Sequence, residues 1–247
     1  QDCRHQTDRR AERERQQHRF EEHQCERARP YPPASSQVAR NEARKATAIR
    51  DFLVGIFERN SVAHPDGARA RQTTAAELLA QSAQQIRGTL RDAPEVRTEL
   101  LGVMAQLYAS LDMQSDAIAL LMDKLTSQRA TPGAELDVAK TLSMLAYSQI
   151  QIGDYPAAER SANEALQIFA SLGDTSTLEH GVAYANLAQG AYRQGKGTDG
   201  TMRRNFEAAL RLIEAHHPRS KWRLTVLMGL SRVANLEGRN DESLAYC

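Results

Sequence analysis

Gly195-Lys196-Gly197-Thr198-Asp199-Gly200 has the G-x-G-x-x-G spacing with which a glycine-rich turn wraps backbone N–H groups around phosphate oxygens. That chemistry needs a strand ahead of the glycines, so that the turn and the next helix start face the ligand together. The residues ahead of Gly195 follow a helical period instead, and the segment reads as a lengthened turn between two helices. Two other clusters invite a metal. Cys3, His5, His18, His23 and Cys25 lie close together in sequence, but at irregular spacing and without the paired ligands of a structural zinc site. His216 and His217 stand side by side before Pro218. Neighbours on a helix point in different directions, so this pair reads as a helix end beside the negative C-terminal dipole. Glu179-His180 reads as solvated in the same way. No Walker-type G-x-x-x-x-G-K-[ST], no H-R-D or D-F-G triplet and no nucleophile arrangement of Ser/His/Asp or Cys/His spacing occurs. The expectation is a chain that is not itself an enzyme, with no catalytic residue, no cofactor and no metal.

The elements that carry these residues are helical. The 247 residues are 41% hydrophobic but only 5% aromatic, with a single Trp, which suits Ala/Leu-built helical layers better than a β-sandwich or barrel. A net charge of +1 gives no whole-chain case for nucleic acid or for an anionic membrane. No run of about 18 apolar residues is present, so no membrane span is expected. The three cysteines, Cys3, Cys25 and Cys247, sit near the termini and form no disulfide framework in the core. Without an initiator Met or a signal peptide at Gln1, the start reads as that of a fragment.

Residues 1–34 form a charge-rich, low-complexity tail that is expected to be disordered. Residues 35–58 read as a linker helix with Ser35 or Ser36 as cap and Ile49, Phe52, Leu53, Ile56 and Phe57 gathering toward its end. An exposed loop covers 59–72. Residues 73–97 form a capping region, opened by the capping box Thr74 to Glu77 and striped by Leu79, Ala83, Ile86 and Leu90, with Asp92 as the cap before Pro94.

From residue 98 onward four helical hairpins follow, at about 98–130, 139–171, 181–217 and a shortened 224–247. The second is the most regular. Leu142, Leu145, Ala146 and Gln149 share one helical face, Gly153-Asp154 breaks the helix, and Ala158, Ala162 and Ala165 present a small-residue face that lets the partner helix approach. The turn residues Asp112, Gly153, Gly195 and Gly238 recur at intervals of 41, 42 and 43. A near-constant interval is an internal repeat, and it predicts an all-α solenoid of stacked antiparallel hairpins.

These residues resemble the tetratricopeptide repeat. Ala117, Leu121, Ala158, Ala162 and Ala165 fall on its helix-B positions. Gly153-Asp154-Tyr155 and Ala185-Asn186-Leu187-Ala188 with Gly195 match the longer variety of about 42 residues found in kinesin light chains. The third repeat departs from the pattern, since Lys196 to Arg204 insert about two residues and Met202 stands where a small residue is usual. The resemblance implies a protein or peptide ligand held on the concave side, which the A helices line. Outward-facing A-helix positions are Glu99 and Gln106, then Lys140, Ser143 and Tyr147, then Asn186, Gln189 and Arg193, then Arg232 and Asn235. An Asn matching Asn186 often bonds a bound peptide's backbone in this family, which makes it the first contact candidate. Lys140, Arg193 and Arg232 give the face a mild basic bias that suits an extended or acidic peptide; the plain alternative is that all of these are ordinary solvated residues. The open end of the array offers a surface for self-association.

A narrower resemblance concerns residues 48–57 (A-I-R-D-F-L-V-G-I-F), 73–79 (T-T-A-A-E-L-L) and 94–97 (P-E-V-R). In this order, ahead of long repeats, they are similar to the C-terminal region of bacterial membrane-anchored serine/threonine protein kinases. That resemblance implies a cytoplasmic kinase domain and a transmembrane helix in the parent protein, with the repeats as an extracytoplasmic sensor. The charged tail occupies the place of that membrane helix here. The alternative is the repeat domain of a cytoplasmic transcriptional regulator or other signalling protein, whose N-terminal DNA-binding domain is missing.

Overall fold

The computed structural model describes residues 75–89, 94–196 and 200–246, together with residues 39, 40, 43, 46, 47, 49–52, 54 and 55. The charged tail, the caps at Thr74 and Asp92, the 59–72 loop and residues 197–199 of the glycine segment lie outside the described residues. The chain divides into two units, residues 1–50 and 51–247. In the first, residues 39, 40, 43, 46, 47, 49 and 50 are helical; in the second, so are 51, 52, 54 and 55.

Among the described residues every regular element is an α-helix. After α1 (Ala75–Thr89) come α2 (Pro94–Ser110) and α3 (Gln114–Arg129), α4 (Glu135–Gln151) and α5 (Tyr155–Leu172), α6 (Leu178–Arg193) and α7 (Thr201–His216), and α8 (Lys221–Leu236) and α9 (Asn240–Ala245). The four hairpins α2–α3, α4–α5, α6–α7 and α8–α9 close through one device. Asp112, Gly153, Gly195 and Gly238 all have positive φ, between 60° and 82°. The residue after each donates its N–H back five residues: Met113 to Tyr108, Asp154 to Gln149, Lys196 to Ala191 and Arg239 to Ala234, at 2.8–2.9 Å. This ties off an otherwise free helical carbonyl in a turn that needs the left-handed conformation. Asp112 adopts it because a short polar side chain tolerates it better than a branched one.

Packing follows from the small residues. Ala158, Ala162 and Ala165 of α5 are buried, as are Leu142, Leu145 and Ala146 of α4, and α4 packs on α5, on the preceding α3 and on the next A helix, α6. Ser161 Oγ donates to Gln149 Oε1 at 2.9 Å across that hairpin. Further along, Met202, Phe206, Ala209 and Ile213 of α7 join Ala185 and Ala188 of α6 and Val226, Leu230 and Val233 of α8 in one apolar cluster. Met202, 4% exposed, is thus a core residue despite the inserted turn before it. A buried cation locks the last hairpin to this layer. Arg203 donates through Nε and Nη2 to Glu237 Oε2 (3.0 and 2.6 Å) and through Nη1 to Glu242 Oε1 (2.6 Å). Three donors of one planar group, two converging on one oxygen and the third on a second carboxylate, suit guanidinium and not an ammonium.

Candidate binding face

The matched turns place Gln106, Tyr147, Gln189 and Arg232 at one register position, one on each of α2, α4, α6 and α8. Gln106 and Arg232 are exposed, and Tyr147 and Gln189 are half-buried. Glu99, Arg193 and Asn235 are also exposed, whereas Lys140 is half-buried with its ammonium 3.6 Å from Asp137. The Tyr147 ring meets Trp222 edge-on, with centroids 5.2 Å apart and planes at 84°, the favourable geometry for two ring quadrupoles. Tyr147 sits on α4 and Trp222 on α8, so the two A helices on either side of α6 meet across this face and turn it inward there. Trp222 carried a signal in being the single Trp, but nothing local tied it to Tyr147.

Two of the outward-facing assignments need correction. Asn186 is 2% exposed and Ser143 fully buried. Asn186 Nδ2 donates 2.8 Å to the Ser143 carbonyl, linking α6 to α4, and its Oδ1 has no partner among the described residues. Ser143 Oγ turns back to the Ala139 carbonyl at 3.0 Å. Close approach of adjacent A helices withdraws both side chains, so Asn186 holds hairpins together from within. It also lines a cleft of about 470 Å³ between α5 and α7, floored by α6 and flanked by Glu159, Asn163, Lys196 and Asn205.

The solvated reading of Glu179-His180 is also corrected. His180 is 8% exposed and lies between the rings of Phe169 (4.8 Å, 12°) and Tyr184 (5.5 Å, 20°). Its Nδ1 donates 2.8 Å to the Asp174 carbonyl. The Asp174 carboxylate accepts from the N–H groups of Ser176 and Thr177, each at 3.3 Å, and organises the loop between the second and third hairpins. His217, which ends α7, reaches the same loop through Nε2 and the Ser176 carbonyl at 2.7 Å. Burial pushes the His180 imidazole below its usual value, against the Asp174 carbonyl bond and carboxylate that favour the charged ring. The native state therefore prefers neutral His180, and the unfolded chain binds the extra proton first. Stability should fall as pH drops through about 6.5, the ordinary histidine value. Replacing His180 by Phe keeps the stack but removes the titration, so the denaturation midpoint should lose part of its fall between pH 7 and 5.5. An equally steep fall in the variant would assign that dependence to the remaining histidines.

The described ends of the glycine segment, 195–196 and 200, lie between two helices. α6 leads into it, Gly195 closes that helix, and Gly200, with φ 81°, precedes α7. Among the described residues no group of three or more His, Cys, Asp or Glu could hold a metal, and no helix is long and apolar enough to cross a membrane.

No family model matches the chain, and no curated protein matches it in sequence. Its likeness is to solved structures. BtubC (BKLC) from P. vanneervenii superposes with a TM-score of 0.58 at 18% identity, over 87% of this chain and 82% of that one. RapI in its apo form gives a TM-score of 0.58 at 11% identity, over 87% of this chain and 56% of RapI. A kinesin light chain protein of nearly identical TPR-like repeats from Podosopora anserina gives 0.52 at 18% identity, over 84% of this chain and 91% of that one. At these identities the likeness establishes the fold: an all-α solenoid of tetratricopeptide-like repeats.

Proposed function

We propose that the chain is a non-catalytic protein-binding scaffold that holds an extended segment of its partner along the face of α2, α4, α6 and α8. The observation that carries this reading is the row Gln106, Tyr147, Gln189 and Arg232. It places one polar or aromatic side chain per hairpin at or near the surface, on a face drawn inward by the Tyr147–Trp222 contact. Packed helices stand about 8–10 Å apart, which is about three residues of extended peptide. The closely packed α4 and α6 thus meet positions of such a ligand about three residues apart. Arg193 and Arg232, both exposed, favour acidic side chains on it.

Reversing Arg232 tests the face without touching the core. Partners captured from a lysate by the wild-type chain should be captured equally by Arg211→Glu, which changes an exposed residue of α7. They should fall roughly tenfold with Arg232→Glu. Equal recovery by all three proteins would remove the A-helix face from consideration.

We further infer that the scaffold is the sensor region of a bacterial membrane-anchored serine/threonine kinase, placed on the extracytoplasmic side of the inner membrane. The support is the ordered resemblance of residues 48–57, 73–79 and 94–97 ahead of the repeats. Translating the gene upstream of Gln1 decides the parent. A kinase segment with an apolar helix supports this reading, and a winged-helix segment replaces it with the transcriptional regulator.

A further inference from the structure

One buried position of the repeat is filled by the wrong kind of residue. The register that relates Gly153 to Asp112 relates Ala165 of α5 to Lys124 of α3, and, past the insertion in the third hairpin, Ala209 of α7 corresponds to both. Ala165 and Ala209 are fully buried. Lys124 cannot fit an alanine's space, and its side chain runs across α2 at Gly102. A Cβ on Gly102 would stand 2.6 Å from Nζ and 3.6 Å from the last two methylenes, so the glycine leaves the amine its place. The side chain is half-buried, yet Nζ forms no ion pair among the described residues; the nearby Asp137 is taken by Lys140 at 3.6 Å. Arg203, the other withdrawn cation, has two carboxylates within 2.6 Å. An ammonium withdrawn from water without a counter-ion is costly, and the neutral amine is correspondingly favoured. Burial is the main cause that holds Lys124 below the usual lysine range, and the Lys140 cation adds to it. Glu99 on α2, Asp137 on α4 and Glu179 on α6 pull the other way and do not offset it.

We propose that Lys124 is an acylation site, whose amine takes an acyl group from a small activated donor, an acyl phosphate or a thioester, ahead of the other lysines. The ammonium first gives its proton to water. The nitrogen lone pair then attacks the donor carbonyl, the new C–N bond forms, and the bond from carbonyl carbon to phosphate oxygen or to sulfur breaks. The leaving group departs with the bonding pair, and the amide nitrogen sheds its second proton. The product is a neutral amide, which removes the uncompensated charge from the α2–α3 seam, so the acylated chain keeps its fold.

The chain has five lysines, few enough to follow each one by peptide mass spectrometry. The intact protein is treated with acetyl phosphate in one arm and an acetyl thioester in the other, at several pH values. At pH 7 Lys124 should be acetylated at least about threefold faster than Lys140, Lys196 and Lys221, because more of its amine is unprotonated. The advantage should vanish well above about pH 10.4, the ordinary lysine value, where every lysine amine is neutral. A preference in both arms assigns the acyl group alone as the determinant, and one confined to acetyl phosphate assigns a role to the donor's charge. Gly102→Ala puts a methyl where the amine lies and should level the rates. Lys140→Met removes the neighbouring cation and should shrink the advantage. Lys124 reacting no faster than Lys140, Lys196 and Lys221 in either arm, or keeping its lead in Gly102→Ala, overturns the assignment.

Discussion

Phe206→Ala destabilises the repeat array by about 3–5 kcal/mol, the range for emptying a buried phenylalanine site that cannot collapse. The ring is 4% exposed and stands in the cluster joining α6, α7 and α8, so its loss opens a cavity at the contact of the third and fourth hairpins. Helical repeats transmit stability through nearest-neighbour contacts. Amide exchange should therefore rise in α8 and α9 before it rises in α4 and α5. Urea titration of the variant measures the loss, with Arg211→Ala on the exposed side of α7 as a control expected within about 0.5 kcal/mol of wild type. A loss under about 1 kcal/mol for Phe206→Ala would mean that the ring is not packed as described.

The second large effect has a sign that local propensity gets wrong. Alanine in place of a mid-helix glycine normally gains up to about 1 kcal/mol. Gly229→Ala should instead cost about 1–3 kcal/mol, the penalty for overpacking. A Cβ on Gly229 would lie 2.5 Å from two carbons of the Phe206 ring and 2.9 Å from a third. That ring is walled in on its other sides by the cluster and cannot swing away. In a Phe206→Leu background the penalty should largely disappear, because the residues couple only through this contact. A double-mutant cycle reads the coupling directly. A coupling near zero would show that the two helices separate freely at this point.

The array was legible because its devices are local. A left-handed residue at each turn must be Gly or a short polar side chain, and the close face of α5 must be small. Asp112, Gly153, Gly195 and Gly238 and the alanines of α5 therefore mark the period in the sequence itself. The row Gln106, Tyr147, Gln189 and Arg232 follows from that period. Residues whose role depends on a facing helix were not legible. Asn186 reads as polar and outward on α6 alone, and becomes buried only because α4 brings the Ser143 carbonyl to it. His180 reads as solvated until Phe169 and Tyr184 close over it. Lys124 looks like an ordinary surface cation of an amphipathic helix, and only the position of Gly102 on the facing helix shows otherwise.

The sequence by itself determined the helical repeat, its turns and the order of its faces, because backbone conformation at a turn and side-chain volume at a helix contact are set within one hairpin. Tertiary structure alone decided which polar groups keep their water. Solvation depends on what stands several ångströms away on another helix, and residues well separated in the chain supply it: Ser143 for Asn186, Phe169 for His180 and Gly102 for Lys124. That is why the α2–α4–α6–α8 face could be drawn from the period, while its buried members, the inward Tyr147–Trp222 contact and the uncompensated Lys124 could not.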